Sequence, residues 1–141
     1  MTAPRVLLVM PLGEQLGGGE MMFRQLLQHG RDGRIEWIVV FTRDGPMVDE
    51  ARALGYETHL FPAGRLRQLG RRWSVIRAIA RLARERHVSM VFGWMVASQT
   101  MAGPAALLAG VPAAWYQVGL PEPDWLDRLA TLMPARGILV L

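Results

Sequence analysis

Two kinds of apolar pattern alternate along the chain. Short runs at Arg5 to Met10, Ile35 to Thr42, Val88 to Phe92 and Ala113 to Tyr116 have the form of strands buried on both faces. Between them lie segments whose apolar residues recur three and four positions apart, which predicts helices. Met22, Phe23, Leu26 and Leu27 give a helix from about Gly19 to His29, closed by a turn at Gly30-Arg31-Asp32-Gly33. Trp73, Ile76, Ile79, Ala80 and Ala83 supply the apolar side of the longest helix, Arg71 to Arg86. A short helix from Pro46 to Leu54 carries proline in its first turn, where a missing N–H costs little, and Gly55 ends it. Glu57 to Phe61 alternates polar and apolar as a third, edge strand. Ala97 to Ala109 is a helix of small residues, and Asp124, a good N-cap, opens a last helix through Leu132. Gly137 to Leu141 begins a final strand.

Strand–helix alternation of this kind predicts an α/β fold: a Rossmann-like parallel sheet with helices on both faces. Right-handed crossovers give the strand order 3-2-1-4-5, with the last strand added beyond the fifth. Repeats, low-complexity tracts and linkers are absent from the sequence, so residues 1–141 read as a single domain. An end inside an apolar strand reads as a truncation, with a further domain expected beyond it.

Composition narrows the chemistry. At 141 residues, 51% hydrophobic and 20% charged, the chain is long enough to bury a core without staples. Without cysteine it has neither disulfides nor thiolate metal ligands, which suits a cytoplasmic setting. All 16 basic residues are arginine. Absence of lysine excludes Schiff-base chemistry and the P-loop lysine. The stretch from Val88 to Pro121 is uncharged, but glycines, prolines and polar residues cut it into pieces too short to span a membrane. A strand, a helix and a strand buried on both faces account for it.

In open parallel sheets, ligands sit outside the carboxyl ends of the strands. The loop before the first helix, Gly17-Gly18-Gly19, is the most informative there. Backbone N–H groups at such a helix start face an anion or a polar ligand, and glycine permits close approach. The bland alternative is a tight strand-to-helix turn with no ligand. A dinucleotide G-x-G-x-x-G fails because residue 22 is Met. Trp94, Gln99 and Gln117 follow the fourth and fifth strands as candidate cleft residues, although Trp94 fits the core equally well.

Leu16-Gly17-Gly18-Gly19-Glu20 resembles the G-G-x-E segment of glycosyltransferase family 4, whose members have the two-domain GT-B fold. The resemblance continues in order through Thr42-Arg43-Asp44-Gly45-Pro46, Ala53-Leu54-Gly55-Tyr56-Glu57-Thr58 and Ala106-Leu107-Leu108-Ala109-Gly110-Val111-Pro112. It covers the chain as the N-terminal, acceptor-side half. The resemblance implies sugar transfer from a nucleotide-sugar donor to an acceptor, usually with retention. Gly17 and Gly18 would be the loop facing the donor phosphates and acceptor, with Gly19 beside them and Glu20 as the motif acid. Glu20 equally fits a helix-capping role, since a carboxylate in the first turn is favoured by about 0.3–1 kcal/mol.

The departures matter too. Many family members carry a histidine after the fifth strand, where Gln117 stands; glutamine hydrogen-bonds a hydroxyl but shuttles no proton at neutral pH. The paired glutamates of the family's C-terminal domain, E-x7-E, are absent, so this chain alone is expected to be inactive. The nucleotide-sugar is a substrate; no cofactor and no metal are expected. A non-catalytic Rossmann-like binding module is the alternative. A GT-B epimerase-type domain is a third, but it needs a histidine and carboxylates placed for proton abstraction, and the cleft loops offer none.

The remaining chemistry-bearing residues carry weaker signals. His29, His59 and His87 fall at predicted element ends without metal-ligand spacing. Glu122, Asp124 and Asp127 have the spacing of a helix start. Arg65 to Arg86 holds eight arginines against one acid, Glu85. Arg77, Arg81 and Arg84 fall on one helix flank. They suit either a peripheral contact with an anionic membrane surface or phosphate-bearing acceptor, or an ordinary solvated face. Nucleic acid is not expected, because no aromatic platform accompanies the charge.

Overall fold

The computed structural model describes residues 3–11, 18–64, 67–117 and 137–140, with the side chains at 96, 117 and 137–140 outside that description. The elements alternate as expected: β1 (Arg5–Met10), α1 (Gly18–His29), β2 (Glu36–Phe41), α2 (Pro46–Ala53), β3 (Glu57–Leu60), α3 (Leu69–Glu85), β4 (Met90–Trp94), α4 (Met95–Ala109), β5 (Ala113–Gln117) and β6 (Gly137–Val140). They build a six-stranded sheet in the order β3-β2-β1-β4-β5-β6, parallel at every pairing. The expected order and the placement of the final strand are therefore observed. The helix expected from Asp124 to Leu132, with Glu122 and Asp127, lies outside the described residues.

Alternate side chains of the apolar strands feed two cores, one on each face. Leu7, Val9, Ile38, Val40 and Val91 meet Ile76, Ile79, Ala80 and Ala83 of α3 and Met101, Ala102 and Ala105 of α4. Leu8, Met10, Val39 and Phe41 meet Phe23 and Leu27 of α1 and Met47, Val48 and Ala51 of α2. Period-2 alternation along β1 and β2 sends successive residues to opposite layers, so a run apolar at every position is needed.

Three helices end in one hydrogen-bond pattern. After α2, Gly55 N–H bonds to Arg52 O and Tyr56 N–H to Ala51 O. After α4, Gly110 N–H bonds to Leu107 O and Val111 N–H to Ala106 O. After α3, His87 N–H bonds to Arg84 O and Val88 N–H to Ala83 O. The pivot residue of this Schellman-type ending sits in the left-handed region. Gly55 (φ 90) and Gly110 (φ 74) occupy it without strain, whereas His87 (φ 52) carries a Cβ there.

Two helical faces are corrected. Trp73, expected on the buried side of α3, is 51% exposed, and Leu82 and Val75 are buried instead. Trp73, Arg77 and Arg81 follow one another at four-residue steps, so tryptophan shares the arginine row rather than the Ile76–Ile79–Ala83 face. Met22, expected in the α1 stripe, is exposed as well; Phe23 and Leu27 fill the core there, with Leu26 partly buried against it. β4 also runs past Gly93 to Trp94. Gly93 does not break the strand: it pairs with both Val9 and Trp115, and a Cβ on it would meet Gln99 N at 3.3 Å and Ala102 Cβ at 3.4 Å. Glycine there lets α4 lie close on the sheet.

Candidate functional site

Parallel strands bring the ends of β1, β2, β4 and β5 and the starts of α1, α3 and α4 to one rim. At that rim, Thr42 N–H bonds to Met10 O and the Thr42 carbonyl accepts from Ala63 N–H, which fixes the end of β2 against that of β1. Gly18 opens α1 with nothing among the described residues within 4 Å of an added Cβ and without a left-handed φ. Gly17, together with residues 12–16 of the preceding loop, lies outside the described residues.

An aromatic layer seats the start of α1. Phe23 packs edge-on against Phe41 at 5.8 Å and against Trp94 at 5.4 Å, and Trp94 stacks on Tyr116 at 4.5 Å. Trp94 Nε1–H donates to the Gly19 carbonyl at 3.0 Å, and the Tyr116 hydroxyl donates to Met22 Sδ at 3.3 Å. Buried Trp and Tyr thus satisfy their polar tips on α1 itself, which pins the helix start to the ends of β4 and β5.

Glu20 sits in the first turn, only 4% exposed. Among the described residues its carboxylate makes no hydrogen bond and no ion pair.

The other expected site residues are placed as follows. Trp94 is enclosed in the aromatic layer, and Gln99 is fully buried in α4 behind Gly93. Neither side chain forms an open wall of the rim. Gln117 ends β5 at the rim, its side chain outside the described residues. Met95, the first residue of α4, takes a left-handed φ of 68 where β4 ends. Backbone strain of about 1–3 kcal/mol is held there. Arg77, Arg81 and Arg84 are all exposed on α3.

Two side-chain groups escaped the sequence reading. Glu57 Oε1 accepts from Arg86 Nε at 2.7 Å and lies 3.0 Å from His59 Nε2. Burial pushes the Glu57 carboxyl up, but hydrogen bonds from His59 and Arg86 and their charge outweigh it, and the net shift is downward. The i, i+2 spacing of Glu57 and His59 on a strand was the available signal, since both project to one face. The second group is Arg72 with Thr100, where Arg72 Nη2 donates to Thr100 Oγ1 at 2.9 Å across the α3–α4 contact. Among the described residues no cluster of His, Asp or Glu is placed to hold a metal ion, and no helix is long and apolar enough to cross a membrane. A polar crevice of about 390 Å³, lined by Arg31, Trp37, Tyr56 and Glu57 among others, opens at the opposite, amino end of the sheet.

No protein-family model matches the chain, and no curated protein matches it by sequence. Solved structures do match in fold. HepE of Anabaena, solved with UDP-glucose, superimposes with a TM-score of 0.71 at 16% identity, over 94% of this chain and 36% of that one. MurG of Acinetobacter baumannii gives 0.66 at 14% identity, over 98% and 41%. The lipopolysaccharide outer core galactosyltransferase WaaB gives 0.61 at 12% identity, over 96% and 44%. The chain spans less than half the length of each. Identities this low carry the fold alone, and the fold is that of one Rossmann-like half of the GT-B architecture.

Proposed function

We propose that this chain is the acceptor-side domain of a glycosyltransferase similar to family 4. It moves a sugar from a nucleotide-sugar to an acceptor with retention, and it works only with a second, donor-binding domain. The observation that carries the reading is the start of α1, where Glu20, 4% exposed, sits in the first turn beside Gly18 within the G-G-x-E segment. A carboxylate so placed accepts hydrogen bonds from a ligand's hydroxyls, while the backbone at Gly18 admits close approach. The aromatic layer holds both in place before a ligand arrives, which lowers the ordering cost of binding. HepE was solved with UDP-glucose, which fits a nucleotide-sugar as donor.

The exposed row on α3 fits a peripheral contact with an anionic membrane surface. Trp73 and Leu69, 51% and 75% exposed, stand beside Arg77, Arg81 and Arg84. A cytoplasmic enzyme so docked meets lipid-borne acceptors at the inner face.

The test is calorimetry of UDP- and GDP-sugars on this chain and on the full-length protein. Millimolar or weaker binding is expected for the chain, about 4 kcal/mol, with turnover only in the full-length protein. Micromolar binding and transfer by this chain would refute the division of labour. Absence of transfer by the full-length protein with any nucleotide-sugar would leave the non-catalytic module.

A further inference from the structure

Four described arginines are partly buried, and three of them face a carboxylate. Arg5 pairs with Glu36, Arg24 with Glu50 and Arg86 with Glu57. Arg72 is the fourth. Its only hydrogen-bond partner among the described residues is the Thr100 hydroxyl, which in turn donates to Ala97 O at 2.8 Å. Burial holds the guanidinium below its ordinary pKa, and among the described residues no neighbouring charge offsets the cost. A charge partly withdrawn from water without a counter-charge is unfavourable unless a further group completes it.

Its position says what would. Arg72 lies in the first turn of α3 and Thr100 in the second turn of α4, and both helices start at the carboxyl rim of the sheet. Neither helix has an acid in its first turn, and exposed Arg67 and Arg71 stand close by in the chain. The positive ends of two helices and the guanidinium add to one field of one sign. Thr100 takes a single N–H and has committed its own proton to Ala97, so it orients the fork without filling it. Arginine has five N–H donors, and four remain. A planar fork of this kind matches two oxygens of a phosphate or carboxylate.

We propose that Arg72, seated on Thr100, anchors an oxyanion subsite on the α3–α4 side of the rim, binding a phosphate or carboxylate group. That the group belongs to the acceptor rests on the transferase reading above; the subsite itself does not.

The probe is inorganic phosphate, titrated into this chain at constant ionic strength, with acetate in a parallel series. The readout is the Nε–Hε resonance of Arg72. A saturable shift is expected. Arg72→Gln should weaken binding at least about tenfold, as loss of a charge-assisted pair implies. Thr100→Val should weaken it a few-fold by freeing the fork, and Arg34→Gln, exposed at the amino end of the sheet, should leave it unchanged. Because Arg72→Gln removes the resonance and can also disturb α3, binding in the variants is read by calorimetry, with circular dichroism on the same samples. Arg72→Lys, which keeps the charge and loses the fork, is the second variant and should also bind more weakly. Tighter phosphate than acetate marks a phosphate group; the reverse marks a carboxylate. A non-saturable shift, or equal affinity in wild type and both Arg72 variants, overturns the subsite. UDP-glucose titrations report on the transferase reading separately, so either can fail without the other.

Discussion

Trp94 and Gly19 lie 75 positions apart in the chain, yet the indole N–H of one donates to the carbonyl of the other at 3.0 Å. The bond joins the last residue of β4 to the first turn of α1, and the same indole stacks on Tyr116 at the end of β5. Trp94→Phe keeps most of the ring packing and removes the donor, while the Gly19 carbonyl keeps its place in the helix ladder. The expected loss is about 0.5–1.5 kcal/mol, the net worth of one hydrogen bond. Amide exchange at residues 19–22 should quicken more than exchange in β1. Uniform exchange across both would show that Trp94 serves only general packing.

His87 gives the opposite sign. It occupies the left-handed pivot that Gly55 and Gly110 fill after the other two helices, and its side chain is exposed. His87→Gly should relieve strain of about 1 kcal/mol, raising the melting temperature by roughly 2–6 °C for a domain of this size. A drop in melting temperature would mean that the imidazole makes a contact worth more than the strain.

The rim also holds two glycines with different duties. Among the described residues Gly18 has no atom within 4 Å of an added Cβ, while Gly93 has Gln99 N at 3.3 Å and Ala102 Cβ at 3.4 Å. Gly93→Val should therefore push α4 off β4 and cost about 1–3 kcal/mol. Gly18→Val should leave the melt nearly unchanged and, on the proposed transferase reading, abolish transfer by the full-length protein, because the branched side chain would enter the space that reading gives to ligand. Near-normal turnover by Gly18→Val would reduce the glycine loop to a connection.

Both glycines were visible in the sequence, but only one announced its role. Gly17-Gly18-Gly19 precedes a helix and follows an apolar strand, a local pattern. Gly93 looked like a strand end, since its reason is the approach of a helix that begins only after it. The same distinction runs through the fold. Strand order and element types followed from periodicity and handedness, which are local or general. Trp73 was misplaced because Trp73 and Ile76, three residues apart, are adjacent enough on a helix for either face to claim a large apolar side chain. The partners of Arg72 and Trp94 come from other elements, 28 and 75 residues away, and no spacing rule reaches that far.

Glu57 supplies a pH dependence. Hydrogen bonds from His59 and Arg86 hold its folded carboxyl below the ordinary value of 4.5. Its stabilisation is thus fully present above about that pH and is lost as pH falls through the depressed folded value. Glu57→Gln should lower the melting temperature at pH 6 to 7, and the gap to wild type should narrow as the pH falls below 4.5. A gap independent of pH would assign the effect to packing at the β3 edge rather than to charge.

The arginine row on α3 separates a docking face from a solvated one. Leu69 and Trp73 leave 75% and 51% of their surface to water at the start of the helix, and Arg77, Arg81 and Arg84 extend from them along one flank. Solvation alone explains exposed arginines, but it does not favour an exposed tryptophan in the same row. On an anionic bilayer, the indole enters the interface while each guanidinium near the surface contributes about 1 kcal/mol. Replacing all three arginines by glutamine should therefore remove about 3 kcal/mol, more than a hundredfold in partitioning to phosphatidylserine vesicles. Trp73 emission should move to shorter wavelength when wild type meets such vesicles, and 0.5 M salt should reverse the shift by screening. Neutral phosphatidylcholine vesicles serve as the control. If wild type co-sediments equally with both lipids, or with neither, the row is a solvated face and the membrane contact falls.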